Sequence, residues 1–352
     1  MPLIGHLNEN CKTDTLVNIK RVQRHSAISG SLYSIKESIM AKYRTDLPQL
    51  TMSTFMTDGG LETDLIFNHS IDLPEFAAFD LLKNVEGKEV LSKYYLDYLD
   101  ISKQKCSGFI LEAPTYRANP DWALKIGYSL ESLDAVIRTA VQELEKIRSN
   151  YENENFKIAI SVCIGPRGDG YSPENKMSIE MAEKYHSFQI KTTADTNADL
   201  ISALTMNYNE EAIGIVNAAK KNNIPVVISY TVETDGKLPS GESLEEAIIT
   251  LDKKTDSYVS YFMINCAHPD HFANILDPDS KWTNRIKGIR ANASTKSHAE
   301  LDESETLDVG DKEQLARKYQ DLKTLLPNLS IIGGCCGTDH THMREICEVW
   351  FN

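Results

Sequence analysis

Three cysteines carry the most definite chemistry in this sequence of 352 residues. Cys266 stands in FMINCAHP; Cys335 and Cys336 stand side by side in SIIGGCCGT, 69 residues further on. Three thiolates suit Zn²⁺, which accepts sulfur at ~2.3 Å in a tetrahedron. Structural zinc sites are normally closed by four protein ligands, so three leave one position open. A substrate thiol bound there would be deprotonated at neutral pH. On so electron-rich a centre it would keep much of its nucleophilicity, which suits attack on a methyl group carried by a sulfonium or quaternary ammonium. Other readings stay open at this point. The vicinal pair could be a redox pair, and His268, His340 or His342 could replace a thiolate as ligand. Cys106, Cys163 and Cys347 read as small core hydrophobes.

Sulfurs so far apart along the chain meet only if the fold brings them together. Beyond residue 53 short apolar, β-branched segments alternate with longer amphipathic stretches. The strand candidates are 54–57, 108–112, 157–164, 199–205, 225–231, 261–265, 288–291 and 330–333. Helical spacing marks 91–107, 130–151, 178–196, 209–222, 243–257 and 312–326 between them. Eight βα units in this length predict an α/β fold, a (β/α)8 TIM barrel, rather than an open doubly wound sheet. No G-x-G-x-x-G opens a helix after a strand, which removes the dinucleotide-binding signature. In a barrel the reactive residues follow the strands. Asp58, Thr115, Glu233, Cys266, Asn292 and Cys335-Cys336 all do so. Residues 1–52 have no strand pattern and read as an N-terminal extension, partly helical or disordered, with a short helix at 34–43; residues 53–352 form the barrel domain.

Composition narrows the partners. The net charge is −14; the first 52 residues, with seven Lys or Arg and four Asp or Glu, are themselves at +3, so the rest stands at −17. An acidic body repels phosphate backbones, which excludes nucleic acid as a partner class and leaves small molecules. No apolar run approaches the ~18 residues of a membrane span, and no apolar signal core opens the chain. Seven cysteines, an odd number in a long chain, point to reduced thiols and a cytoplasmic setting.

Five segments share a further pattern: TDGGLETDL at 57–65, TYRAN at 115–119, SVCIGPRG at 161–168, INCAHP at 264–269 and GGCCGTDHTHMREI at 333–346. In these the chain resembles the homocysteine S-methyltransferase family, which includes betaine– and S-methylmethionine–homocysteine methyltransferases. It is also similar to the homocysteine-binding module of cobalamin-dependent methionine synthase. The resemblance implies one catalytic zinc held by Cys266, Cys335 and Cys336, a small-molecule thiol acceptor and a small methyl donor. It implies that Asp58, with Gly59 beside it, helps hold the acceptor, and that Thr115 and Asn292 lie on the substrate side. No catalytic residue beyond the zinc site is expected.

Two segments depart from the family's pattern. Where an acidic residue followed by Thr is usual after the fourth strand, this chain reads LISALTMNYNEEA, with Leu204 in the acid's place. Where Tyr-Pro-Asn is usual after the seventh, it reads RANAS. A loop with six carboxylates between Glu300 and Asp311 follows, either a solvated acidic loop or a lid over the mouth whose field favours a cationic donor. The expected activity is methyl transfer to a thiol, most simply homocysteine to give methionine. Two alternatives remain: a zinc hydrolase with Asp58 or Glu233 as acid or base, and a non-catalytic zinc or thiol binder in which His340 closes the tetrahedron.

Overall fold

The eight apolar runs pair side by side, all parallel, and the last pairs back onto the first. The computed structural model describes residues 41–304 and 306–352. Its strands are β1 Phe55–Met56, β2 Gly108–Ala113, β3 Lys157–Ile164, β4 Leu200–Met206, β5 Val226–Tyr230, β6 Phe262–Asn265, β7 Ile286–Ala291 and β8 Ile331–Gly334. With helices between the strands this is a (β/α)8 barrel.

Local signals start the helices where the sequence reading placed them. Ser129 caps helix Leu130–Tyr151, Ser178 caps Ile179–Ala194, Ser243 caps Leu244–Thr255 and Asp311 caps Lys312–Leu325. Each cap side chain accepts from a backbone N–H that the first turn leaves free. The helix expected from residue 91 begins instead at Val85, capped by Asn84. Gly87 hides that start, because glycine weakens a helical pattern; here it lets the first turn sit against the Leu81 carbonyl. The last helix, His340–Trp350, was not anticipated.

The apolar residues divide into two sets. Leu91, Ile137, Ile215 and Leu322 lie with the layer between helices and strands. Phe55, Ile110, Ala159, Leu200, Val227, Tyr261 and Ile331 fill the barrel interior. Buried on both faces, the strands read as continuous apolar runs rather than alternating ones.

Of the expected extension, residues 41–52 are described, and they pack on the barrel floor. Leu47, Pro48 and Gln49 are buried, and Leu47 joins the interior set. Arg44 donates to the carbonyls of Ala194, Thr196 and Ala198, the free C-terminal end of a helix and the loop after it. The Tyr43 N–H donates to Asp199 Oδ1 at 2.8 Å. The helix expected at 34–43 lies outside the described residues except for its last three, which form part of a turn.

Candidate metal centre

The first turns after β6 and β8 hold the three sulfurs. Cys266 directly follows β6, and Cys335 and Cys336 directly follow β8. Their sulfur atoms all lie within 4.8 Å of one another. The intervening strand β7 ties both ends together. Cys266 N–H donates to the Arg290 carbonyl at 3.1 Å, and Cys335 N–H to that of Ala291 at 2.8 Å. A tetrahedral ion with ~2.3 Å bonds needs sulfurs ~3.8 Å apart, which a small side-chain rotation from this spacing supplies.

The protonation of the trio fits a cation. Hydrogen bonds from Cys335 and Cys336 hold Cys266 well below the ordinary thiol range. Those two are pushed up because each gives its proton to Cys266. Three thiols this close cannot all ionise unless a positive charge replaces the shared protons. Among the described residues no fourth His, Cys, Asp or Glu joins the group. His340, the candidate to close a tetrahedron, packs edge-on to Tyr98 with ring centres 6.5 Å apart. His268 caps helix Pro269–Phe272, and His342 pairs with Asp339.

Cys266 is held in an unusual backbone conformation. Its φ is +55°, and Thr205 at the end of β4 has φ +59°. Non-glycine residues in this region cost of order 1–3 kcal/mol each and persist only where their surroundings fix them. Asn265 fixes both. Its Oδ1 accepts from Thr205 N–H at 2.9 Å and from Ser229 Oγ at 2.6 Å. Its Nδ2 donates to Thr205 Oγ1 at 2.9 Å and to Cys266 Sγ at 3.2 Å. The Asn265→Ala protein is therefore expected to keep its fold but to bind zinc roughly 10–100-fold more weakly, the usual effect of losing a residue that orients a ligand. Competition against a chromogenic chelator measures this; an unchanged affinity would show that Asn265 does not orient the sulfur.

The paired glycines before the two cysteines, Gly333-Gly334, do not form the turn. Both residues lie within β8, and they are small because a side chain on either would collide with the hydroxyl of Thr57 or Thr338. The turn comes at Gly337, with φ +79°. Gly60 meets it from the end of β1: a Cβ there would sit 2.5 Å from the Cys335 carbonyl oxygen.

Beside the sulfurs lies a cavity of about 90 Å³, lined by Asp58, Gly59, Glu62, Glu112, Leu204, Arg290 and other residues. Asp58 is buried. Arg290 Nη2 donates to its Oδ1 at 2.7 Å, and Tyr94 Oη to its Oδ2 at 3.2 Å. Arg290 also donates to the carbonyls of Gly59 and Gly334. Burial pushes the carboxyls of Glu62 and Glu112 up to about 7. Tyr171 covers the sulfurs, its hydroxyl 3.9 Å from Cys336 Sγ and its ring stacked 4.0 Å from that of His298. A second cavity of about 330 Å³ shares Phe76, Tyr116, Tyr171 and Cys336 with the first. Asp169, Asp302 and Asp308 line it, the last two from the acidic loop, so that loop does border the mouth.

Not all the substrate-side expectations reach the cavity. Asp58 and Gly59 do. Thr115 is fully buried, and its hydroxyl donates to the Cys163 carbonyl at 2.8 Å, binding the end of β2 to β3; its neighbour Tyr116 is what lines the space. Asn292 donates to the Cys266 carbonyl at 3.0 Å from behind the sulfurs. Glu233 faces His298 Nδ1 at 3.1 Å and lines neither cavity. Glu112, Arg290, Glu62, Tyr171 and Asn265 were missed. A charged residue near the end of a buried parallel strand is the signal that could have found Glu112 and Arg290.

A family model for homocysteine S-methyltransferase matches residues 55–350, nearly the whole barrel. The chain belongs to the homocysteine S-methyltransferase family. Homocysteine S-methyltransferase 1 of Arabidopsis thaliana is 25% identical over 314 residues, covering 83% of this chain and 91% of that protein. Selenocysteine Se-methyltransferase of Brassica oleracea var. italica is 25% identical over 315 residues, covering 82% and 86%. The metallated form of the Escherichia coli homocysteine methyltransferase MmuM shares the fold, with TM-score 0.67, 18% identity and 85% and 96% of the two chains covered. Of the two segments that depart from the expected pattern, Leu204 lines the inner cavity, and Arg290, the first residue of RANAS, lays its guanidinium on Asp58.

Proposed function

We propose that the chain is a zinc-dependent S-methyltransferase that moves a methyl group from a small sulfonium or quaternary ammonium donor to homocysteine, giving methionine. The observation that carries this reading is the convergence of Cys266, Cys335 and Cys336 at the wall of a partly charged cavity. Cys266, Cys335 and Cys336 would hold a zinc ion, which would supply the Lewis acidity that makes an acceptor thiol nucleophilic at neutral pH. The relatives named for homocysteine and for selenocysteine support a thiol or selenol amino acid as acceptor.

The chain's own residues do the rest. Leu204, Phe76 and Tyr116 keep water from the acceptor's stem, and charged side chains line the rest of the cavity. In the outer cavity the rings of Phe67, Phe76 and Tyr171 stand among three aspartates, which outnumber the one arginine there, Arg117, itself placed over the Tyr116 ring. Aromatic faces and carboxylates together attract a cation, and a methylated sulfonium or ammonium is one. With the acceptor inside and the donor outside, the acceptor sulfur attacks the methyl carbon. A new S–C bond forms as the donor's C–S or C–N bond breaks, and the leaving group departs neutral with that electron pair. The thiol proton is lost before transfer, so no side chain has to act as general base. Holding both partners in contact supplies much of the rate.

Asp58 and Glu233, the acid/base candidates for a hydrolase, are occupied by Arg290 and His298. No helix among the described residues is long and apolar enough to cross a membrane. The six described cysteines are free, which suits a reducing compartment such as the cytoplasm. The test is to offer zinc-loaded protein homocysteine with S-methylmethionine, S-adenosylmethionine or glycine betaine, and to follow methionine by mass spectrometry. At least one pair should give methionine, with activity lost on chelation and restored by zinc. Full zinc occupancy with no methionine from any pair would overturn the proposal.

A further inference from the structure

Two buried charged groups face the inner cavity with atoms that nothing satisfies. Glu112, at the end of β2, is 5% exposed, and its Oε2 has no hydrogen-bond partner. Arg290, at the end of β7, is also 5% exposed. Its Nη2 and Nε are used on Asp58, Gly59 and Gly334, but its Nη1 has no partner. Arg290 pairs with Asp58 at 2.7 Å, and its charge also acts on Glu112 across the cavity without an ion pair. Leaving one charged atom buried and unmade is costly, and two of opposite sign on one small cavity call for a ligand with both complementary charges. An α-amino acid is such a ligand, since its ammonium and carboxylate sit on one carbon. Leu204, which lines the same cavity, is apolar and offers an ammonium no acceptor.

We propose that Glu112 and Arg290 together read the zwitterionic head of the acceptor, Glu112 Oε2 taking the α-ammonium and Arg290 Nη1 the α-carboxylate. This rests on the inner cavity being the acceptor site. Asp58 then acts as a positioning residue: it fixes the guanidinium from one side so that Nη1 stays directed at the cavity. Burial raises the Glu112 carboxyl, and an arriving ammonium restores its charge. The acceptors selected are those with both charges next to the thiol-bearing stem, not simple thiols.

Methionine tests this without relying on turnover, because it carries the head group and no free thiol. Calorimetry compares it with 4-(methylthio)butanoate, which lacks the amine, and 3-(methylthio)propylamine, which lacks the carboxylate. Glu112→Gln should weaken methionine about 10- to 100-fold, the loss of one charge-assisted hydrogen bond, and leave 4-(methylthio)butanoate unchanged. Adding Leu204→Glu to that variant should recover most of the loss. Arg290→Lys should weaken methionine and 4-(methylthio)butanoate but spare the amine, with circular dichroism confirming the fold. Equal weakening of all three ligands by either variant, a methionine affinity indifferent to Glu112→Gln, or no methionine binding by the wild type would each overturn the assignment. If the pattern holds but no donor pair gives methionine, the amino-acid site stands and the methyltransferase reading falls. If methionine forms but the pattern is absent, only the head-group assignment falls.

Discussion

Cys336→Ala protein should lose zinc and methyl transfer together while unfolding at the same denaturant concentration as the zinc-free wild type. The sulfur is partly exposed at the cavity wall rather than packed in the core, so removing it opens no buried void. Its contribution is to the ion. Cysteine-rich zinc sites are worth ~10–16 kcal/mol in all, or roughly 3–4 kcal/mol for each of four ligands, which is about 10²–10³-fold in affinity. Metal content by plasma mass spectrometry after dialysis, beside a methionine assay, measures both effects. Stoichiometric zinc in the purified variant would remove Cys336 from the ligand set.

The second large effect is far from the chemistry. Asp199, fully buried just before β4, accepts from Arg148 Nη1 at 2.6 Å, from Ile160 N–H at 2.8 Å and from Tyr43 N–H at 2.8 Å. Asp199→Ala strands the Arg148 guanidinium in the protein interior and leaves two backbone donors without an acceptor. Breaking a buried pair by removing one partner costs about 3–5 kcal/mol, so the urea midpoint should fall accordingly. Replacing both Arg148 and Asp199 by apolar residues should cost much less, since no charge is then left alone. A single-mutant loss below about 1 kcal/mol would mean that water already reaches the pair. The same carboxylate joins residue 43 to β3 and β4, so this variant also reports on how residues 41–52 are attached to the floor.

The barrel was legible because its strands are buried on both faces. Most strands therefore read as largely apolar runs, and the run 157–164 coincides with β3. Helix starts were legible wherever a Ser or Asp cap opened a periodic stretch, and were lost at Val85, where Gly87 answers to a tertiary contact with Leu81. The sulfurs were legible because thiols at strand ends have few other uses. Glu112 and Arg290 were not, since each sits inside an apolar run, and only three dimensions show that both face one cavity. Thr115 and Asn292 show the converse: a polar residue following a strand can spend a hydrogen bond on joining neighbouring strands.

The positive φ at Cys266 sets the needs of folding against those of chemistry at a single residue. Glycine would adopt that torsion without penalty and should make the barrel more robust, but it would bring no sulfur. Sequences drifting toward greater thermal tolerance thus have an easy step available here, and taking it would silence the centre in an otherwise intact, well-behaved protein.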